Sequence, residues 1–263
     1  MLQQMTGFFT LWFTSFTLSG LLLAVLFGGI WLLIIRPPLL RRIDAWLLLL
    51  GSALVTWTAI SFIQLPLQNY LGQWLVELLG LKIMTWLLIA GIPTILIGGL
   101  TQEAAKMLPA ILFRMKNRQM FTPGTGLMLG AMIGIGFGVF EAVWVNSSMF
   151  QSGWTWAAFQ QYGVEAILPF WERFITVGLH MATGAILGYG VARGRVWQFF
   201  LIAAGVHALY NYSVLLLQGG YLGTISVEIY ITAVALVSSS WVLYKKVRIS
   251  EVSETNVSLA DEP

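Results

Sequence analysis

The chain has 263 residues, of which 58% are hydrophobic and only 10% charged, and its mean hydropathy is +0.81. A soluble domain carries about 25% charged residues, so this composition excludes a water-covered globule and marks an integral membrane protein. The formal charge of +3 is no sign of nucleic-acid binding, because membrane proteins place Lys and Arg in cytoplasmic loops, and the absence of cysteine excludes disulfides, thiol catalysis and Cys-ligated zinc.

Apolar stretches separated by short polar or basic breaks predict seven spans: Phe8–Ile35, Ala45–Leu67, Ile83–Phe113, Gly124–Val145, Ile167–Ala192, Val196–Leu217 and Tyr221–Tyr244. The first stretch has no cationic lead and no small-residue cleavage site, so it reads as a retained helix and not a secretory signal. Residues 68–82 and 146–164 are expected as longer outer loops, with Trp74, Trp154 and Trp156 as interfacial anchors.

The cations fix the orientation. Arg36, Arg41 and Arg42, then Arg114, Lys116 and Arg118, then Arg193 and Arg195, then Lys245, Lys246 and Arg248 follow spans one, three, five and seven, which is 11 of the 14 Lys and Arg. The expectation is an all-α polytopic protein of about seven transmembrane helices, N-outside and C-inside. Residues 1–248 form one transmembrane domain, and 249–263 read as a polar, disordered cytoplasmic tail.

Removing the loop charges leaves Glu103, Lys106, Glu141, Glu172, Arg173, His180, His207 and Glu228 inside the spans. Ionisable groups there are costly and mark function by default. Counting about 1.5 Å per residue from the nearest basic loop puts Glu103 about 16 Å deep, His180 about 20 Å and His207 about 18 Å. Three spans thus bring three such residues to one level. Glu141 and Arg173 lie nearer the outer face and are of opposite sign. Glu228 has no partner that the sequence names.

Residues three or four apart share a helix face, which pairs Glu103 with Lys106 and His207 with Asn211. Gly126, Gly130, Gly134 and Gly138 form a smooth ridge suited to close helix packing, with Glu141 three residues beyond it, and Gly184 and Gly188 repeat the device. Pro93 is the one mid-span break.

A carboxylate and two imidazoles at one depth offer two routes to hydrolysis. Either Glu103 is a general base, with His180, His207 and the Asn211 amide orienting water or an oxyanion, or Glu103, His180 and His207 form a three-ligand site for Zn2+. No H-E-x-x-H segment is present, and the sequence leaves both routes open. A proton-coupled transporter or a non-catalytic scaffold would use the same buried polar cluster.

Glu-Ala-Ala-Lys at 103–106, Phe140-Glu141 after the glycine ridge, Arg173 seven residues before His180, and His207-Ala-Leu-Tyr-Asn211 occur in the order of the superfamily of type II CAAX prenyl endopeptidases and PrsW proteases. Within it the chain most resembles the YhfC family of membrane peptidases. The resemblance implies a peptidase core over residues 83–217. It also implies an intramembrane endopeptidase, of glutamate or metal type, in which Glu103, His180, His207 and Asn211 line the cavity, supported by Lys106, Glu141 and Arg173. Its partners would be the bilayer and a membrane protein or peptide substrate, in a multi-pass protein of the bacterial cytoplasmic membrane. The sequence departs from the family in one place: the usual Glu-Glu pair is here Gln102-Glu103.

Overall fold

The computed structural model describes residue 10 and residues 14–260. The start of the first expected span, at Phe8 and Phe9 and again at residues 11–13, lies outside the described residues. Ten α-helices follow: α1 (Leu18–Ile35), α2 (Ile43–Ala59), α3 (Leu65–Leu79), the single turn α4 (Leu87–Ala90), α5 (Ile92–Lys116), α6 (Pro123–Gln151), α7 (Trp156–Tyr162), α8 (Leu168–Ala192), α9 (Val196–Gln218) and α10 (Thr224–Ala260). No strand occurs among the described residues, and seven helical segments are long and apolar enough to cross a membrane. The protein is an all-α polytopic membrane protein.

Three boundaries differ from expectation. Residues 68–82 are helical as far as Leu79, because a π-helical turn at Ile60–Gln64 joins α2 to α3 and makes one 37-residue rod. The glutamines and asparagine after Leu67 end the apolar run without ending the helix, since none of them breaks it. Likewise α6 continues to Gln151, and α10 continues past Ile249 to Ala260. Pro93 is not a mid-helix break: it sits in the first turn of α5, where its missing N–H costs nothing, and Pro109 is the proline inside that helix. Trp154, expected as an interfacial anchor, is held by the protein itself. It donates from Nε1 to the Ala166 carbonyl at 2.8 Å and packs on Phe150 and Phe170.

The basic loops meet at one end of the bundle. Lys246 Nζ donates to the Ile35 carbonyl at 2.6 Å, Arg114 donates to the Val191 carbonyl, Arg42 lies over Phe113, and Lys245 lies over Tyr189.

The core is the α6–α8 pair, largely buried along the bundle axis and flanked by α1, α2, α5, α9 and α10. Glycine explains why the pair is so close. A Cβ at Gly126, Gly130 or Gly134 would run into the main-chain carbonyls of Gly188, Gly184 and His180 in turn, so the two small-residue ridges interlock. Gly99 performs the same service between α5 and α9, where a Cβ would sit 2.8 Å from the Ala204 carbonyl oxygen.

Candidate functional site

The two close packings bring Glu103 of α5, His180 of α8 and His207 of α9 together at 0%, 1% and 3% exposure. Each offers a ligand atom within 4.8 Å of the others. Gly99 lets α9 approach α5 so that His207 Nδ1 lies 2.7 Å from Glu103 Oε1. Gly134 and Gly138 let α8 lie flat on α6, with the Cβ position of Gly138 only 3.2 Å from His180 Cδ2. One turn further along α6, Glu141 Oε2 then reaches His180 Nε2 at 2.8 Å.

Lys106 closes the cluster. Its Nζ contacts Glu103 Oε1 at 2.5 Å, Thr183 Oγ1 at 2.7 Å and His180 Nδ1 at 3.1 Å, and it lies 5.0 Å from the centre of the Phe137 ring. An ammonium has three hydrogens, and here all three have acceptors. Because an ammonium only donates, His180 Nδ1 accepts, its ring proton sits on Nε2, and that proton is given to Glu141. A carboxylate only accepts, so His207 donates from Nδ1 to Glu103 and keeps the lone pair on Nε2. Glu103 is therefore asymmetric: Oε1 takes two hydrogen bonds, while Oε2 is buried with no partner.

Beyond Glu141 the polar chain runs outward. Arg173 Nη1 is 3.9 Å from Glu141 Oε2, and the guanidinium pairs more tightly with its neighbour Glu172. Thr176 Oγ1 donates to the Glu172 carbonyl and lies 2.7 Å from the Tyr210 hydroxyl. Glu228 keeps a buried Oε2 with no partner. Asn211 is not hydrogen-bonded into the cluster. It lies one turn away, beside Gly98, near the amides of Gln64 and Gln68. Gln102 turns from Glu103 towards the π turn between α2 and α3 and donates to Gln64 Oε1 at 3.0 Å.

The sequence reading missed Thr183, Phe137, Gln64 and Gln68. Thr183 and Phe137 each lie within one turn of a residue already singled out, three after His180 and four before Glu141, but a threonine and a phenylalanine are unremarkable in a membrane helix. Gln64 and Gln68 share a face at i,i+4 spacing, a signal hidden when residues after 67 are taken as loop.

The sequence profile of the PrsW family intramembrane metalloprotease matches residues 44–239. The chain belongs to the PrsW family. No curated protein and no solved structure matches it. The family's description as metalloproteases makes the donor set worth testing against an ion. Two imidazoles and a carboxylate are suitable ligands, Glu103 Oε2 is a buried acceptor without a partner, and Glu141 backs His180 as an outer carboxylate backs a ligating histidine. These PrsW residues fit a divalent ion. The group that competes with it is Lys106, whose charge already lies against Glu103 and His180.

Proposed function

We propose that the chain is an intramembrane endopeptidase that hydrolyses a peptide bond of a membrane-associated protein or peptide, with Glu103 at its centre. The observation that carries this reading is the Glu103 carboxylate itself: one oxygen held by Lys106 and His207, the other buried and free to take a proton from water. Lys106 and His207 fix the orientation of that carboxylate. His180, locked between Glu141 and Lys106, fixes the opposite wall of the site. When a divalent ion is bound, Glu103, His180 and His207 would hold it, and it would acidify water and polarise the substrate carbonyl.

A membrane-embedded substrate suits the surroundings. An apolar groove of about 710 Å³ runs between α2 and α5, lined by Val55, Ala59, Ala105 and Leu108 among others. Ala59 and Ala105 belong to one buried cluster with Phe137, whose ring centre lies 4.9 Å from that of His180. A hydrophobic segment lying in the groove would thus border the cluster that carries the Phe137 ring beside His180. Within the superfamily, the motifs at 103–106, 140–141, 173–180 and 207–211 support a place beside the YhfC and type II CAAX branches, with a peptidase core over 83–217 in a bacterial cytoplasmic membrane.

The test uses purified protein in detergent against a panel of fluorogenic transmembrane peptides. Loss of a general base costs about 10²–10⁴ in rate, so Glu103→Gln should fall by at least about a hundredfold, and His207→Ala, which frees the Glu103 carboxylate to turn, should fall as well. Cleavage by Glu103→Gln at the wild-type rate overturns the proposal, as does Glu103-dependent ion flux in proteoliposomes without hydrolysis.

A further inference from the structure

At the end of the bundle opposite the basic loops, an apolar groove of about 580 Å³ lies between the start of α8 and the first turns of α10, lined by Ile167, Trp171, Ile225, Ile229 and Leu236 among others. One carboxyl interrupts it. Glu228 lines the groove, and among the described residues it makes no hydrogen bond and no ion pair, with Oε2 buried. Two other polar side chains of the groove satisfy each other, since Trp171 Nε1 donates to Thr232 Oγ1 at 3.0 Å. Glu172 and Arg173 act on Glu228 across space with opposite signs, but the guanidinium is already paired with Glu172 and lies 3.9 Å from Glu141. Three carboxylates thus share one guanidinium, and Glu228 is the one left without a cation.

The depth of the groove is that of one membrane leaflet. Glu228 lies four residues into α10 from Thr224, about 6 Å along the helix. The lining residues of α10 run from Ile225 to Leu236, about 16.5 Å, which is close to half of the ~30 Å hydrocarbon core. The carboxyl therefore sits where headgroups meet acyl chains, and the groove beside it has the reach of one chain. A second apolar groove, of about 550 Å³, lies against α1, and Ile167 and Trp171 line both. Two grooves parted by one indole ring match a lipid with two tails.

We propose that this pair of grooves holds one phospholipid, with Glu228 accepting hydrogen bonds from the ammonium of a phosphatidylethanolamine headgroup. An uncompensated carboxylate at the edge of an apolar medium is costly, and this ligand supplies the missing cation together with tails for the apolar walls. The headgroup follows from the chemistry of the acceptor. A primary ammonium carries three hydrogens and bonds a carboxylate directly. The quaternary ammonium of phosphatidylcholine has no hydrogen to give, and phosphatidylglycerol brings a negative charge without a cation. The lipid site is independent of the peptidase reading and stands or falls without it.

Native mass spectrometry tests it, on the full chain in detergent with equal amounts of dioleoyl phosphatidylethanolamine, phosphatidylcholine and phosphatidylglycerol. Wild type should retain one phosphatidylethanolamine at least about tenfold over either of the others, the difference made by one hydrogen bond to a charged group. Glu228→Gln keeps the shape and removes the charge, so it should hold phosphatidylethanolamine no better than phosphatidylcholine. Ala233 lines the groove and is exposed, so Ala233→Phe fills the groove without crowding the interior and should retain no lipid there. Equal retention of the three lipids by wild type overturns the proposal, since the grooves then carry only unselected boundary lipid. An unchanged preference in Glu228→Gln overturns it as well, as does phosphatidylethanolamine held equally by Ala233→Phe. A dimer that Ala233→Phe abolishes, with no lipid retained by wild type, gives the groove to a second copy and also overturns it.

Discussion

Lys106 donates to Glu103 from one turn further along the same helix, with 2.5 Å between Nζ and Oε1 and neither side chain exposed at all. In lipid-depth surroundings two such charges stand only as a pair, and removing one partner of a buried pair costs about 3–5 kcal/mol. The ammonium also lies against His180, so it supplies positive charge at the position a divalent cation would claim.

Replacing Lys106 by Met, of similar length and without charge, should therefore have two linked effects. The metal-free protein should lose about 3–5 kcal/mol of stability through the uncompensated Glu103. Its capacity for Zn2+ or Co2+ should rise above that of wild type, and added Zn2+ should restore the melting temperature. Metal content by elemental analysis and the visible spectrum of the Co2+ protein check this. Equal metal uptake by wild type and Lys106→Met would show that Lys106 does not compete with the ion.

Glu141 accepts from His180, holding the ring proton on Nε2 and so the lone pair on Nδ1. Substitutions of such carboxylates behind a functional histidine typically cost 10–100-fold. Glu141→Gln keeps an acceptor and should fall at the mild end of that range, and Glu141→Ala at the severe end. The loss should appear in kcat with KM held, because the substrate's contacts lie elsewhere. Equal activity in all three proteins would remove Glu141 from any positioning role.

The seven spans and the shared depth of Glu103, His180 and His207 were readable in the sequence because both follow from hydropathy and a fixed rise per residue. The tie between Glu141 and His180 was not. The sequence pairs Glu141 with Arg173 on charge and depth, whereas its shortest contact is with the imidazole, at 2.8 Å against 3.9 Å. What decides between the two is how α6 and α8 mesh, and that depends on which carbonyl each glycine faces. The amides around Gly98 were hidden for a related reason: Gln64, Gln68 and Asn211 belong to α2–α3 and α9, and only the unbroken rod through the π turn brings the first two alongside α5.

The glycine ridge gives the last prediction. At Gly134 a Cβ would meet the main-chain carbonyl of His180, and backbone on both sides leaves nothing flexible to move. At Gly29, on an open side of α1, nothing lies within 4 Å. Overpacking a close-fitted interior costs about 1–3 kcal/mol, whereas Ala at an open helical position gains up to about 1 kcal/mol over Gly. Gly134→Ala should therefore lower the melting temperature in detergent and, by prising α8 from α6, weaken the His180–Glu141 contact and activity with it. Gly29→Ala should leave both unchanged or raise stability slightly. A Gly134→Ala protein as stable and active as Gly29→Ala would mean that the ridge does not set the spacing of the site.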